Sequence, residues 1–108
     1  MRGAVYRLNP GKTRGHEQSG PRFGVVAQST RLEHLSTWLV IPTTTSESGW
    51  QTSLLRPPVD WGRGESFALC AQMKALDPEQ RLGDHVGYLP LNQMQAVDHA
   101  LRFLLDLP

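Results

Sequence analysis

The 108-residue sequence has a single cysteine, Cys70, so it can form no internal disulfide and no thiol pair that would hold zinc. Aromatic residues make up 7% and charged residues 19%, and no apolar run approaches the roughly 20 residues that a bilayer crossing needs. Nucleotide-hydrolysis loops are missing too: Gly62-Arg63-Gly64 has neither the Walker spacing nor a following helix. No Gly-x-Ser-x-Gly elbow presents a serine nucleophile, and His16, His34, His85 and His99 are too scattered for a ligand motif. Cys70 sits in the apolar Ala68-Leu69-Cys70-Ala71, which reads as a buried structural thiol. The opening Met1-Arg2-Gly3-Ala4-Val5-Tyr6 lacks the apolar core of a secretory signal, which predicts a cytoplasmic protein. The length suits one domain over residues 1–108.

A formal net charge of +1 hides an uneven distribution. Residues 1–32 hold Arg2, Arg7, Lys12, Arg14, Arg22 and Arg31 against Glu17 alone, while the remainder is net acidic. A basic first third suits an anionic partner, either nucleic acid or an acidic protein segment.

Short strands dominate the expected structure. Gly3 to Leu8 alternates with period two, and Phe23 to Ala27 reads as a buried strand. Thr37 to Ile41 reads as another, ended by Pro42. Trp50 to Leu55, Ser66 to Cys70, Gln72 to Leu76 and His85 to Leu89 are further strands, and 56–64 has turn chemistry throughout. Asp77-Pro78-Glu79 suits a turn or one helical turn. Met94, Val97, Leu101, Leu104 and Leu105 recur at helical spacing, so an amphipathic helix starts near Pro90 to Asn92. The pattern predicts a mainly β domain, a strongly curved antiparallel sheet or barrel with one C-terminal helix.

The longest polar stretch, Asn9 to Pro21, carries three glycines and two prolines and is where chemistry is expected first. It ends in Arg14-Gly15-His16-Glu17-Gln18-Ser19-Gly20-Pro21-Arg22, directly before the strand Phe23-Gly24-Val25-Val26. This run resembles the Arg-Gly-x-Glu-Gln-x-Gly-x-Arg signature of the MazF/PemK toxin endoribonucleases, with six defined positions in nine. Other segments resemble the family in order: the Asn9-Pro10 exit of the first strand, Ile41-Pro42-Thr43-Thr44-Thr45, Ala68 to Asp77, and Gly87-Tyr88-Leu89. Phe23 departs from the pattern, which usually has proline there, and Thr43 stands where some members have cysteine.

The resemblance implies an SH3-like barrel of the CcdB/PemK type, a homodimer, and an antitoxin whose acidic C-terminal segment occupies the RNA groove. It also implies cleavage of single-stranded RNA without metal or cofactor, by attack of the 2′-hydroxyl on the adjacent phosphorus. Arg22, Thr44 and Glu17 fall on catalytic positions, and Lys12, Arg14, His16, Gln18, Thr43 and Thr45 are expected to bind RNA. A guanidinium suits the charge that builds on nonbridging oxygens, whereas its high pKa makes it a poor base. Glu17 is the better base and His16 the alternative. Two other classes stay open: a gyrase-poisoning toxin of the same fold, which would lack the Arg-Gly-x-Glu-Gln loop, and a noncatalytic RNA-binding module.

Overall fold

The computed structural model describes residues 1–9, 22–46 and 53–108. Strands β1 (Ala4–Leu8), β2 (Arg22–Val26) and β3 (Trp38–Thr44) pair antiparallel in that order, each supplying apolar or β-branched residues to the pleat. β7 (Leu82–Tyr88) pairs with the outer side of β1. Beyond β3 lie β5 (Ser66–Ala68) and then β4 (Pro58–Val59), and β6 (Lys74–Leu76) pairs with β3 as well.

β3 therefore serves two partners on one side. Trp38, Leu39 and Val40 pair with β6, and Thr43 and Thr44 pair with β5. Pro42 does not end the strand, as its lack of an N–H suggested, but lies between these two pairings. Its carbonyl accepts from the Leu69 N–H at 2.9 Å, so its ring nitrogen faces the same side. There the partner chain leaves the ladder through the 3-10 turn Cys70–Gln72, and no donor is required of Pro42.

The sheet curls until its two ends share a core. Leu76 of β6 and Leu82 of β7 are buried with Val40, under Tyr6, Leu8 and Trp38. The helical turn α1 (Pro78–Arg81) joins those strands, capped by Asp77, whose carboxylate accepts from the Glu79 N–H at 2.9 Å. On the opposite face Val5, Val25, Ile41 and Cys70 pack against Met94, Val97 and Ala100 of helix α2 (Leu91–Leu105). Arg2 ties the layers together, donating to the Ala27 carbonyl at 2.8 Å and pairing with Asp98 of α2.

Several expected boundaries move. The described part of the strand expected over Trp50 to Leu55 is a 3-10 turn, Ser53–Leu55, and residues 50–52 lie outside the described residues. Cys70 and Gln72, expected in strands, belong to the turn between β5 and β6. β4 lies inside the segment expected to be all turn, where Pro58 sits in an edge strand. The helix stripe is buried only in its first half: Leu104 is 38% and Leu105 52% exposed, beside Phe103 at 61% and Leu107 at 55%.

Candidate functional site

One row of cross-strand neighbours brings the candidate residues together. Leu8 of β1 pairs with Arg22, Thr44 of β3 pairs with Phe67 of β5, and Phe67 pairs with Pro58 of β4. The β2–β3 register pairs Val26 with Val40 and ends at Gly24 opposite Pro42, and alternation along each strand puts Arg22 and Thr44, two residues beyond that pair, on the same face as Gly24 and Pro42. The strands remain adjacent at that end, because the Thr43 hydroxyl donates to the Phe23 carbonyl at 3.3 Å. Residues directly opposite in an antiparallel pair keep their side chains on one face, with Cβ atoms about 4.5–5.5 Å apart. Arg22, Thr44 and Phe67 thus share one face of the sheet, and all three are half-buried.

Gly24 is what permits this packing. A Cβ there would lie 2.5 Å from Val40 Cγ1 and 3.0 Å from Leu8 Cδ2, so β2 can press against its neighbours only without a side chain. Thr44 is held by its own turn: its Oγ1 accepts from the Ser46 N–H at 3.1 Å, which orients the hydroxyl and leaves its proton to be donated outward. Arg56 closes that end. Its guanidinium donates to the Ser46 carbonyl at 2.8 Å and lies 5.5 Å from the Phe67 ring centroid.

The other face carries a second aromatic cluster. Phe23 is buried, with its ring centroid 5.4 Å from that of Trp61, and the guanidinium groups of Arg63 and Arg7 lie 4.7 and 5.9 Å from its own centroid. Phe23 therefore anchors the start of β2 in the core on the face away from Arg22. Thr43, expected to bind RNA, is 5% exposed and its hydroxyl is bonded to the Phe23 carbonyl, so it fastens the two strand ends instead. Thr45 is exposed. Glu17, Lys12, Arg14, His16 and Gln18 lie outside the described residues.

Phe67 and Arg56 carried no signal in the sequence as site residues. A phenylalanine in a short strand and an arginine before two prolines are ordinary, and only the register shows them beside Thr44. Cys70 is fully buried, and desolvation pushes its thiol from 9.0 up to about 11, which leaves almost no thiolate for nucleophilic chemistry. Among the described residues no group of three or more His, Cys, Asp and Glu side chains is placed to hold a metal ion, and no helix is long and apolar enough to cross a membrane.

Comparison with known proteins agrees with this architecture. Residues 1–105 match the family described as PemK-like, MazF-like toxin of type II toxin-antitoxin system. A toxin candidate of Mycobacterium tuberculosis, Rv3098A, is 36% identical over 108 residues, covering 99% of this chain and 98% of its own. Among solved structures, the Mycobacterium tuberculosis toxin MazF-mt6 superposes with a TM-score of 0.74 at 21% identity, covering 97% of this chain and 98% of that one. An endoribonuclease in complex with its cognate antitoxin, from a mycobacterial species, gives 0.79 at 21% identity, covering 100% and 96%. MazF from Deinococcus radiodurans gives 0.76 at 20% identity, covering 97% and 94%. The chain, with its curled antiparallel sheet and C-terminal helix, belongs to the PemK-like, MazF-like toxins of type II toxin-antitoxin systems.

Proposed function

We propose that the protein is an endoribonuclease toxin that cuts single-stranded RNA without a metal ion and so inhibits translation and growth. The 2′-hydroxyl attacks the adjacent phosphorus, giving a 2′,3′-cyclic phosphate and a free 5′-hydroxyl; DNA lacks that nucleophile. The observation that carries this reading is the β2–β3 register, which sets Arg22 and Thr44 on one face of neighbouring strands.

Negative charge grows on the nonbridging oxygens as the new bond forms. Arg22 meets it with two directed donors, and the loss of one such donor costs about 3–4 kcal/mol in comparable sites. Arginine keeps its proton to a pKa above about 12, so Arg22 stabilises charge rather than abstracting a proton. Thr44, its oxygen fixed by the Ser46 N–H, donates a hydrogen bond to a phosphate oxygen. Glu17 takes the proton of the 2′-hydroxyl, with His16 the alternative base, and the departing 5′-oxygen takes up a proton from water to leave as the 5′-hydroxyl.

Lys12, Arg14, His16, Gln18 and Thr45 bind the RNA, and Thr43 fastens the ends of β2 and β3. The same positive surface receives the acidic C-terminal segment of a cognate antitoxin, so inhibitor and substrate compete. The exposed apolar end of α2 favours a homodimer. The translated RNA that such a toxin would cut is cytoplasmic, which supports a cytoplasmic site of action.

The test is incubation of the wild type, Arg22→Ala and Thr44→Ala with long single-stranded RNA and matching DNA in excess EDTA. Cleavage of RNA alone, leaving cyclic phosphate ends and falling about 100-fold or more in each variant, supports the proposal. Intact RNA with the wild type overturns it.

A further inference from the structure

Phe67 is the aromatic member of the site row, and the cleavage step does not use it. It pairs directly with Thr44, yet it belongs to neither buried cluster, while its strand neighbours Ser66 and Ala68 are buried. Its ring is half-buried and is held by the Arg56 guanidinium 5.5 Å from its centroid. Arg56 in turn donates to the carbonyl of Ser46, the residue whose N–H orients Thr44. An aromatic face and a cationic plane are therefore fixed to the same turn that positions the Thr44 hydroxyl.

Resting on the ribonuclease reading above, we infer that Phe67, steadied by Arg56, is the stacking platform for the base adjacent to the scissile phosphate. With the phosphate between Arg22 and Thr44, the ring lies one cross-strand spacing, about 5 Å, beyond the threonine. That is where the base of a nucleotide whose phosphate meets Thr44 can reach. Single-stranded RNA offers unstacked bases, and an aromatic face binds any of them without reading hydrogen bonds. Stacking area ranks the choice, so a purine is preferred over a pyrimidine at this position.

The test uses the full chain and a short RNA containing the mapped cut sequence. Binding is read by fluorescence anisotropy on an RNA carrying one 2′-deoxy nucleotide at the cut, and cleavage on the unmodified RNA. Phe67→Leu is expected to weaken binding about tenfold, and Phe67→Tyr to restore it. Replacing one nucleotide flanking the cut by an abasic residue is expected to erase the difference between wild type and Phe67→Leu, at that position only. Thermal melting separates lost stacking from lost fold, since a merely structural phenylalanine would shift the melting temperature without dependence on the abasic position. Equal binding by wild type and Phe67→Leu, or a tenfold loss that persists with every abasic RNA, overturns the inference. A wild type that cuts no RNA would overturn the ribonuclease reading and this inference with it, whereas cleavage by the wild type with equal binding by Phe67→Leu overturns this inference alone.

Discussion

At the residue scale, neighbouring threonines do different work. Thr43 is buried and bonded to the Phe23 carbonyl, whereas Thr44 is half-buried and faces outward beside Phe67. Thr43→Val should cost about 1 kcal/mol by removing the hydroxyl's hydrogen bond, measured by urea unfolding, whereas Thr44→Val should abolish cleavage at nearly unchanged stability. Gly24→Ala should destabilise by about 1–3 kcal/mol, because its methyl would meet Val40 and Leu8 inside a closed pleat. Cys70 adds a pH signature. Its thiol is raised by burial to about 11, above the unfolded value of 9.0, so the unfolded chain loses its proton first. The contribution to stability is full below pH 9 and is lost as pH rises through about 11. Unfolding midpoints across this range should therefore fall in the wild type by more than in Cys70→Ala, and alkylation of Cys70 at neutral pH should require unfolding.

At the element scale, the legible parts were those with a clean local pattern. The alternation of β1, the β-branched β2 and the helical spacing of α2 all appear in the structure where their residues suggested. Pro42 misled because proline blocks a ladder only where a donor is needed, and the need depends on β5 and β6, remote in sequence. β4 escaped notice because two residues hold no period, and its strand character comes from pairing with β5. The site divides in the same way. Arg22 and Thr44 were readable as motif positions, whereas Arg56 and Phe67 join them only through register and ring contact. Arg2, counted among the charges of the basic first third, is committed to Ala27 and Asp98 and fastens α2 to the sheet. Arg2→Ala should lower stability by about 1–2 kcal/mol, read by chemical denaturation, without changing RNA binding.

For the whole molecule, the fold separates a helix-covered core from the face that carries Arg22 and Thr44. Helix α2 covers the larger core, and the row Leu8, Arg22, Thr44, Phe67 lies on the other side of the sheet. α2 ends with Phe103 and Leu105 exposed, and Leu107 just after it is exposed too, an apolar end whose burial would favour self-association. Light scattering should give a dimer for the wild type and a smaller species for Phe103→Glu with Leu107→Glu. In the proposed reaction the 2′-hydroxyl is the nucleophile, and the protein supplies Arg22, Thr44 and a base. The most direct measurement takes an RNA oligonucleotide containing the mapped cut sequence, with a single 2′-deoxy nucleotide immediately 5′ of the cut, and incubates it with wild-type protein in EDTA. Full binding with no cleavage at that bond is expected, with 2′,3′-cyclic phosphate ends from the unmodified control. Cleavage of the 2′-deoxy bond, or unmodified ends bearing a 5′-phosphate, would contradict the proposed reaction.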